Sequence, residues 1–250
     1  MTAAVPLPQP LSAAAARAAD AAPRGLRINE VFFSLQGEGL RTGEPCVFVR
    51  LTGCHLRCAY CDTEYAFHEG DTQPLDALLA EVARLGGPCR LVQVTGGEPL
   101  LQPAVHPLMR ALCDAGYTVL LETSGACDLT PCDPRVVRVV DLKTPGSGMV
   151  DRNRWDNIPL LTKRDEVKFV LTDRADYDWM RDVLKRLPIR DRVAAVLVSA
   201  AAAMPATGEI AGTPGLNPTD LAHWILEDHL DVRLQHQLHK LLWDPTARGV

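Results

Sequence analysis

The chain reads as an α/β protein built on a largely parallel sheet. From about residue 27, short runs of β-branched and other apolar residues alternate with amphipathic stretches of helical period. The segments that stand out chemically also fall just after the ends of those runs: 54–61 after 46–53, 96–99 after 90–95, and 124–125 after 117–123. Parallel α/β barrels and doubly wound sheets both keep their active sites at such strand ends, and periodicity alone leaves the two open.

In order along the chain, residues 1–24 are rich in Ala and Pro around Arg17, Asp20 and Arg24. They hold too few bulky apolar residues to pack, so a disordered tail is expected, with a transit peptide as the alternative. Residues 25–250 are expected to form one domain, since a chain of 250 residues that is 47% hydrophobic can fill one large core. Strands are expected at 27–33, 46–53, 90–95, 117–123, 136–142, 166–171, 193–198 and 231–235. Helices are expected at 75–85, whose apolar residues fall at 75, 78, 79, 82 and 85, and at 103–115, 175–187 and 218–229. Asn217 is placed to cap the last of these. Residues 199–215, rich in Ala, Gly, Pro and Thr, are expected to be a mobile loop.

Net charge is −5 with a pI near 5.8, which gives nucleic-acid binding no electrostatic support. No apolar run is long enough to cross a bilayer. Eight cysteines without a secretory hydrophobic region predict reduced thiols in the cytoplasm.

The organising motif is Cys54-His-Leu-Arg-Cys58-Ala-Tyr-Cys61-Asp-Thr63. CxxxCxxC spacing lets three thiolates of one loop serve one metal centre. Structural zinc takes four protein ligands, and the nearest further candidate is His68. A [4Fe–4S] cube held by three thiolates would keep one iron open to an outside ligand. The competing readings are a zinc knuckle and unligated thiols. Cys46, Cys89, Cys113, Cys127 and Cys132 read as small core hydrophobes. In Thr95-Gly96-Gly97-Glu98-Pro99 two glycines allow close approach of a ligand to the backbone. Glu122-Thr-Ser124-Gly125 and Asp141-Leu142-Lys143 end the next two strands, where a lysine can pair with a carboxylate.

Together these motifs resemble the radical S-adenosylmethionine (SAM) superfamily. The resemblance implies an incomplete (β/α) TIM-like barrel, with a [4Fe–4S] cluster on Cys54, Cys58 and Cys61. It implies SAM contacts at Tyr60, Cys61, Asp62, Gly96, Gly97, Glu98, Ser124, Asp141, Leu142 and Lys143. Three further stretches narrow it: Gln36-Gly37-Glu38-Gly39, the Asp62-Thr63 that follows Cys61, and Gln237-Leu238-His239-Lys240. With these, residues from about 28 onward resemble the 7-carboxy-7-deazaguanine synthase family of queuosine and 7-deazapurine biosynthesis.

That family implies ring contraction of 6-carboxy-5,6,7,8-tetrahydropterin to 7-carboxy-7-deazaguanine with loss of ammonia. Position by position it places Leu35, Gln36, Gly37, Glu38, Arg50, Thr95 and His239 at the pterin and Thr63 on Mg²⁺. It also implies a flavodoxin- or ferredoxin-type electron donor and a homodimer. The chain departs from the family where many members carry Ser-Pro-Lys and this one carries Asp141-Leu142-Lys143. It departs again after Val198, which is followed by Ser-Ala-Ala-Ala. A glycyl-radical-enzyme activase shares CxxxCxxC and GGEP, and a non-catalytic zinc-binding scaffold is the alternative from another class.

Overall fold

Strand β1 (Leu26–Leu35) turns back on itself instead of crossing over to a parallel neighbour. The 36–44 connection to β2 (Pro45–Leu51) is shorter than the dozen or so residues a parallel return needs. The two strands therefore pair antiparallel, with Ser34 opposite Cys46. The Gln36 N–H donates to Glu44 and the Gly43 N–H to Gln36, both at 2.8 Å, closing the turn. A short strand with no sequence expectation, β3 (Asp71–Gln73), pairs antiparallel with the other side of β1. The computed structural model describes residues 25–244 and 247–250. The tail expected over 1–24 lies outside the described residues.

Beyond this hairpin the expected alternation holds except across β5, β6 and β7, whose connections carry no α-helix. The order is α1 (Leu75–Gly86), β4 (Leu91–Gly96), α2 (Val105–Asp114), β5 (Thr118–Thr123), β6 (Val137–Asp141) and β7 (Glu166–Leu171). It continues with α3 (Arg174–Arg186), α4 (Ile189–Arg192), β8 (Ala195–Ala200), α5 (Pro218–Glu227), β9 (Arg233–Leu234) and α6 (His239–Leu242). One sheet of order β3-β1-β2-β4-β5-β6-β7-β8-β9 results, parallel from β2 to β9. Its edges β3 and β9 do not pair, so the barrel is incomplete. Asn217 caps α5 as expected, its side chain accepting from the Thr219 N–H with Pro218 at the first helical position. The helix stops at Glu227, just before His229 takes a positive φ of 47°.

Alternation along each strand separates two faces. Val47, Val49 and Leu51, Val92 and Val94, Val119 and Leu121, and Val167, Phe169 and Leu171 point outward into one large cluster with the helices. At roughly 1.5–3 kcal/mol for each fully buried Leu, Val or Phe, this outer layer supplies most of the stability. The inner face is apolar only at its base, where Phe32 stacks on Phe48 at 4.8 Å beside Cys46, Leu91 and Leu120. Apart from Val139 and Leu197, the rest of that face is polar yet buried, as at Gln36, Gln93, Thr95, Asp141, Lys168 and Ser199.

The expectation of a mobile loop over 199–215 is corrected. Strand β8 runs to Ala200, and the segment after it forms an antiparallel bridge between Met204 and Thr213 and buries Ile210. It is pinned across the cysteine loop by Glu209, which pairs with Arg57 at 2.6 Å and His68 at 3.2 Å. Thr207 adds a hydrogen bond to Glu64 at 2.7 Å.

Candidate active site

The cysteine loop leaves the end of β2 and is set against the Gly96–Gly97 turn by main chain alone. The Glu98 N–H donates to the Gly53 carbonyl at 2.8 Å, and the Gly53 N–H to Ala66 at 2.8 Å. A Cβ at Gly97 would stand 2.2 Å from the Gly53 oxygen and 2.7 Å from the Cys54 Cβ, which explains a glycine there. From the far side, the Ala59 N–H donates to the Ser147 carbonyl at 3.0 Å.

Cys54, Cys58 and Cys61 are all free thiols on this loop, Cys58 buried and the others half-buried. Burial pushes each thiol up, that of Cys61 to about 12, while the Lys143 ammonium partly offsets burial at Cys54 and Cys58. Neutral thiols held this way become thiolates when a metal supplies the compensating charge. Among the described residues no three Cys, His, Asp or Glu side chains converge on one point for a single ion, which a cube with one thiolate per iron does not require. Three polar atoms on or beside the loop, His55 Nδ1, the Tyr60 hydroxyl and Asp141 Oδ1, are buried without a partner among the described residues. Buried polar atoms of that kind normally meet a partner, and here they border the thiols. The donor set therefore fits a [4Fe–4S] cluster with a polar molecule lying against it.

Lys143 donates to Asp141 Oδ2 at 2.8 Å and lies 5.6 Å from the Tyr60 ring. Burial opposes its charge most strongly, but Asp141, Cys58 and Tyr60 together overcome it and hold the ammonium well above an ordinary lysine. Asn153 clamps the same residue reciprocally: its Oδ1 accepts from the Lys143 N–H and its Nδ2 donates to the Lys143 carbonyl, both at 2.8 Å.

The side chains of two residues expected at SAM have other partners in the structure. The Glu98 carboxylate is fully buried and accepts from Leu100 N–H, the Thr123 hydroxyl, and both the N–H and hydroxyl of Ser124. It ties the turn after β4 to that after β5. The Leu142 side chain, 1% exposed, sits in the outer core, so only its main chain can face the cleft. The Ser124 hydroxyl is likewise engaged by Glu98.

A second group lies on the inner face next to this one. The Gln36 side chain donates to Gln93, and Gln36 Oε1 accepts from the Glu38 N–H at 3.2 Å. Glu38 accepts from Lys168 at 3.0 Å, Gln237 at 2.8 Å and Gln235 at 3.2 Å. Burial works against its charge; Lys168 and Gln237 prevail and keep the carboxyl below its ordinary value. A carboxylate offers about four acceptor positions, so Glu38 has one free, and a ligand presenting two donors takes the second from the Gln235 amide at 3.2 Å.

Arg50 uses Nε on Glu30 at 2.7 Å and lies over the rings of Phe32 and Tyr65 at 5.7 Å each, leaving its terminal nitrogens without a hydrogen-bond partner among the described residues. Thr95 stands opposite Arg50 in the β2–β4 register. Leu35 ends β1 opposite Pro45. The Gly37 carbonyl accepts from Leu238 N–H at 3.0 Å, and a Cβ on Gly37 would reach within 2.4 Å of His239 Nδ1. Burial pushes the His239 imidazole down, which keeps it neutral near pH 7.

Gln237 joins the two groups, donating to Glu38 and, at 3.4 Å, to Asp62 of the cysteine loop. Lys240 donates to Asp62 at 2.6 Å, and the Thr63 hydroxyl donates to Asp62 at 2.9 Å. Burial opposes ionisation of Asp62, but Lys240 holds its carboxyl far below the usual range. At the outer rim Arg248 lies 3.9 Å over the Tyr65 ring and pairs with Glu69 at 2.8 Å, with Gly249 against Glu30 and Phe32.

Sequence reasoning missed Lys168, Gln93 and Gln235, and quoted Glu122 only as part of a motif. Their signal is present in the chain: each is a polar residue inside an otherwise apolar strand or beside one, as in Glu166-Val-Lys168-Phe-Val.

The Radical SAM superfamily model matches residues 48–140. The chain is 46% identical to the 7-carboxy-7-deazaguanine synthase of Koribacter versatilis, over 90% of this chain and 100% of that protein. It is 41% identical to that of Chlorobaculum tepidum, over 90% and 97% respectively. Among solved structures it resembles QueE from Escherichia coli, with a TM-score of 0.66 and 26% identity over 86% of this chain and 95% of that one. It shares its fold with Streptococcus suis SuiB at a TM-score of 0.53 and 16% identity, over 73% of this chain and 46% of that one.

Proposed function

The chain belongs to the 7-carboxy-7-deazaguanine synthase family of radical SAM enzymes, and from that premise we propose which of its residues carry the reaction. The enzyme contracts the ring of 6-carboxy-5,6,7,8-tetrahydropterin to 7-carboxy-7-deazaguanine and releases ammonia. SAM bound at the [4Fe–4S] cluster supplies the 5′-deoxyadenosyl radical that starts the contraction.

Cys54, Cys58 and Cys61 hold the cluster. Tyr60, Asp62, Gly96, Gly97, Asp141, Lys143 and the main chain at Leu142 and Ser124 receive SAM, with Lys143 opposite its carboxylate. Glu38 and Gln36 read the amino-pyrimidinone edge of the pterin. A carboxylate that accepts two ring N–H groups rejects rings lacking them by leaving a buried charge unpaired. The free nitrogens of Arg50 take the substrate carboxylate, where a planar fork gains most. Leu35, Gly37, Thr95 and His239 close the pocket. Thr63 offers its hydroxyl to Mg²⁺, a hard ion that favours oxygen donors.

The observation that carries this reading is Gln237. One side chain bridges the pterin-reading Glu38 and Asp62, the neighbour of a cluster cysteine, which supports a substrate pocket continuous with the cluster site. A flavodoxin- or ferredoxin-type protein is the proposed reductant, and a homodimer the proposed assembly. Among the described residues no helix is long and apolar enough to cross a membrane. The reduced cysteines suit a cytoplasmic setting.

The test is an anaerobic assay with the carboxylated tetrahydropterin, SAM, Mg²⁺ and a strong reductant, following deazaguanine product and ammonia. Many product molecules per SAM consumed are expected. SAM consumed one for one, with a radical left on protein and the pterin untouched, would favour the activase. Colourless protein carrying one zinc would favour the scaffold.

A further inference from the structure

Lys168, in the middle of β7, is among the described residues the one cation in contact with both Glu38 and Glu122 of the inner face, where Glu166 is a third buried glutamate. Its Nζ donates to Glu38 Oε2 at 3.0 Å and, still more closely, to Glu122 Oε1; Asp141 Oδ2 stands 3.8 Å away. The ammonium has three donors, two of them used, and 3.8 Å is too long for the third to reach Asp141. Three carboxylates (Glu38, Glu122 and Asp141) thus share two cations (Lys168 and Lys143) inside the barrel. The lysine side chain is 9% exposed.

Such a buried cluster is poor scaffolding. Apolar side chains of similar volume usually hold a core as well or better, because the desolvation of each ion offsets the attraction between them. The outer face already supplies the apolar core. The charges are therefore explained by what the cavity must do to a ligand.

We propose that Lys168 is a positioning residue for the pterin: as shared partner of Glu38 and Glu122 it fixes both carboxylates, and its third hydrogen remains for the substrate. This deepens the functional reading above and rests on it. Without the cation, two neighbouring carboxylates repel and turn apart, and Glu38 loses the orientation needed to accept two ring donors at once. Glu122 reports the same loss through its titration. Burial raises its carboxyl to about 7 even though Lys168 opposes the rise; Glu38 and Asp141 add to it. Removing Lys168 removes the opposing influence, so Glu122 protonates at still higher pH.

The experiment compares the unaltered enzyme with Lys168→Met, Lys168→Arg and the double variant Lys168→Met/Glu122→Gln, all reconstituted anaerobically. Iron content, SAM cleavage without pterin, pterin affinity by equilibrium dialysis, and the pH dependence of kcat/KM are measured. Lys168→Met is expected to keep its iron and cleave SAM within about twofold of the unaltered rate, while pterin Kd and KM rise by about tenfold or more. Its acid limb moves up by about one pH unit, Lys168→Arg recovers part of both effects, and the double variant loses the limb. The double variant carries no unpaired buried glutamate at 122, so it stands in if the single variant fails to fold.

Pterin affinity within about twofold of unaltered in either Met variant, with the acid limb in place in Lys168→Met, would overturn the proposal. If the unaltered enzyme neither binds nor converts the pterin, the functional reading fails instead, and the two failures are told apart by that control.

Discussion

Ser124 gives both its backbone N–H and its hydroxyl to a single oxygen of Glu98, at 2.8 and 2.5 Å. The bond joins the turns after β4 and β5 beneath the site and absorbs a carboxylate that the GGEP motif suggests is for the ligand. Glu98→Ala would strand the Ser124 N–H, the Leu100 N–H and the Thr123 hydroxyl in a dry place. At about 1–3 kcal/mol for each buried group left unpaired, partly relieved by water, a loss of roughly 3–5 kcal/mol is expected. Urea unfolding checks it: the midpoint falls while the slope stays the same.

Gly97 admits no side chain. In Gly97→Ala the new methyl meets the Gly53 carbonyl and the Cys54 Cβ, neither of them the end of a flexible chain. The cysteine loop must move outward, so iron per chain after reconstitution is expected to fall at least about twofold with overall stability lowered by only about 1–2 kcal/mol. Full iron loading in this variant would show that the two turns are not in rigid contact.

Cys58 is the most buried of the three loop thiols. Cys58→Ala removes one sulfur from an otherwise intact loop, a change worth about 1 kcal/mol in packing. The chain should fold while its iron content collapses and SAM cleavage disappears. Retained cleavage would remove Cys58 from the cluster.

Glu38→Gln keeps the shape of the side chain and cancels its charge. Cluster content and pterin-independent SAM cleavage should match the unaltered enzyme, whereas pterin turnover drops by about a hundredfold or more. Product formation at a normal rate would take Glu38 out of the pocket.

Glu122 gives a pH test of the opposite sign to that of most carboxylates. Its folded value of about 7 lies above the ordinary 4.5, with burial as the main cause. The protonated form therefore contributes stability that is fully present below pH 4.5 and is lost as pH rises through 7. Glu122→Gln should match the unaltered protein near pH 4.5 and exceed it in stability above pH 7, by at most ~3 kcal/mol. Thermal melts at the two pH values measure the gap, and an equal gap at both would refute the assignment. Glu38, held below its ordinary value, behaves conversely: its contribution is lost as the medium becomes acid.

The outer half of the barrel is legible in the chain because its residues obey simple periods. The strand at Glu166–Leu171 has the bounds its apolar run predicts, and α5 begins at the Asn-Pro cap. The antiparallel β1–β2 pair was not legible, because the expected bounds 27–33 and 46–53 leave room for a crossover and only the full length of β1 shortens the connection to 36–44. The segment after β8 looked loose because Ala, Gly and Pro dominate it, yet Glu209 and Thr207 tie it down from a distance no local pattern encodes. In the site, motifs located the cysteine loop and Glu38, but not the partners that orient them. Lys168 lies 130 positions from Glu38 and Gln237 lies 199, so only the fold brings them together.

Arg248 rests on the ring of Tyr65, whose hydroxyl donates to the Glu30 that holds Arg50. Arg248 thus stands two side chains away from the guanidinium assigned to the substrate, so a change of charge at this rim reaches Arg50 through Tyr65 and Glu30 without any contact with the ligand.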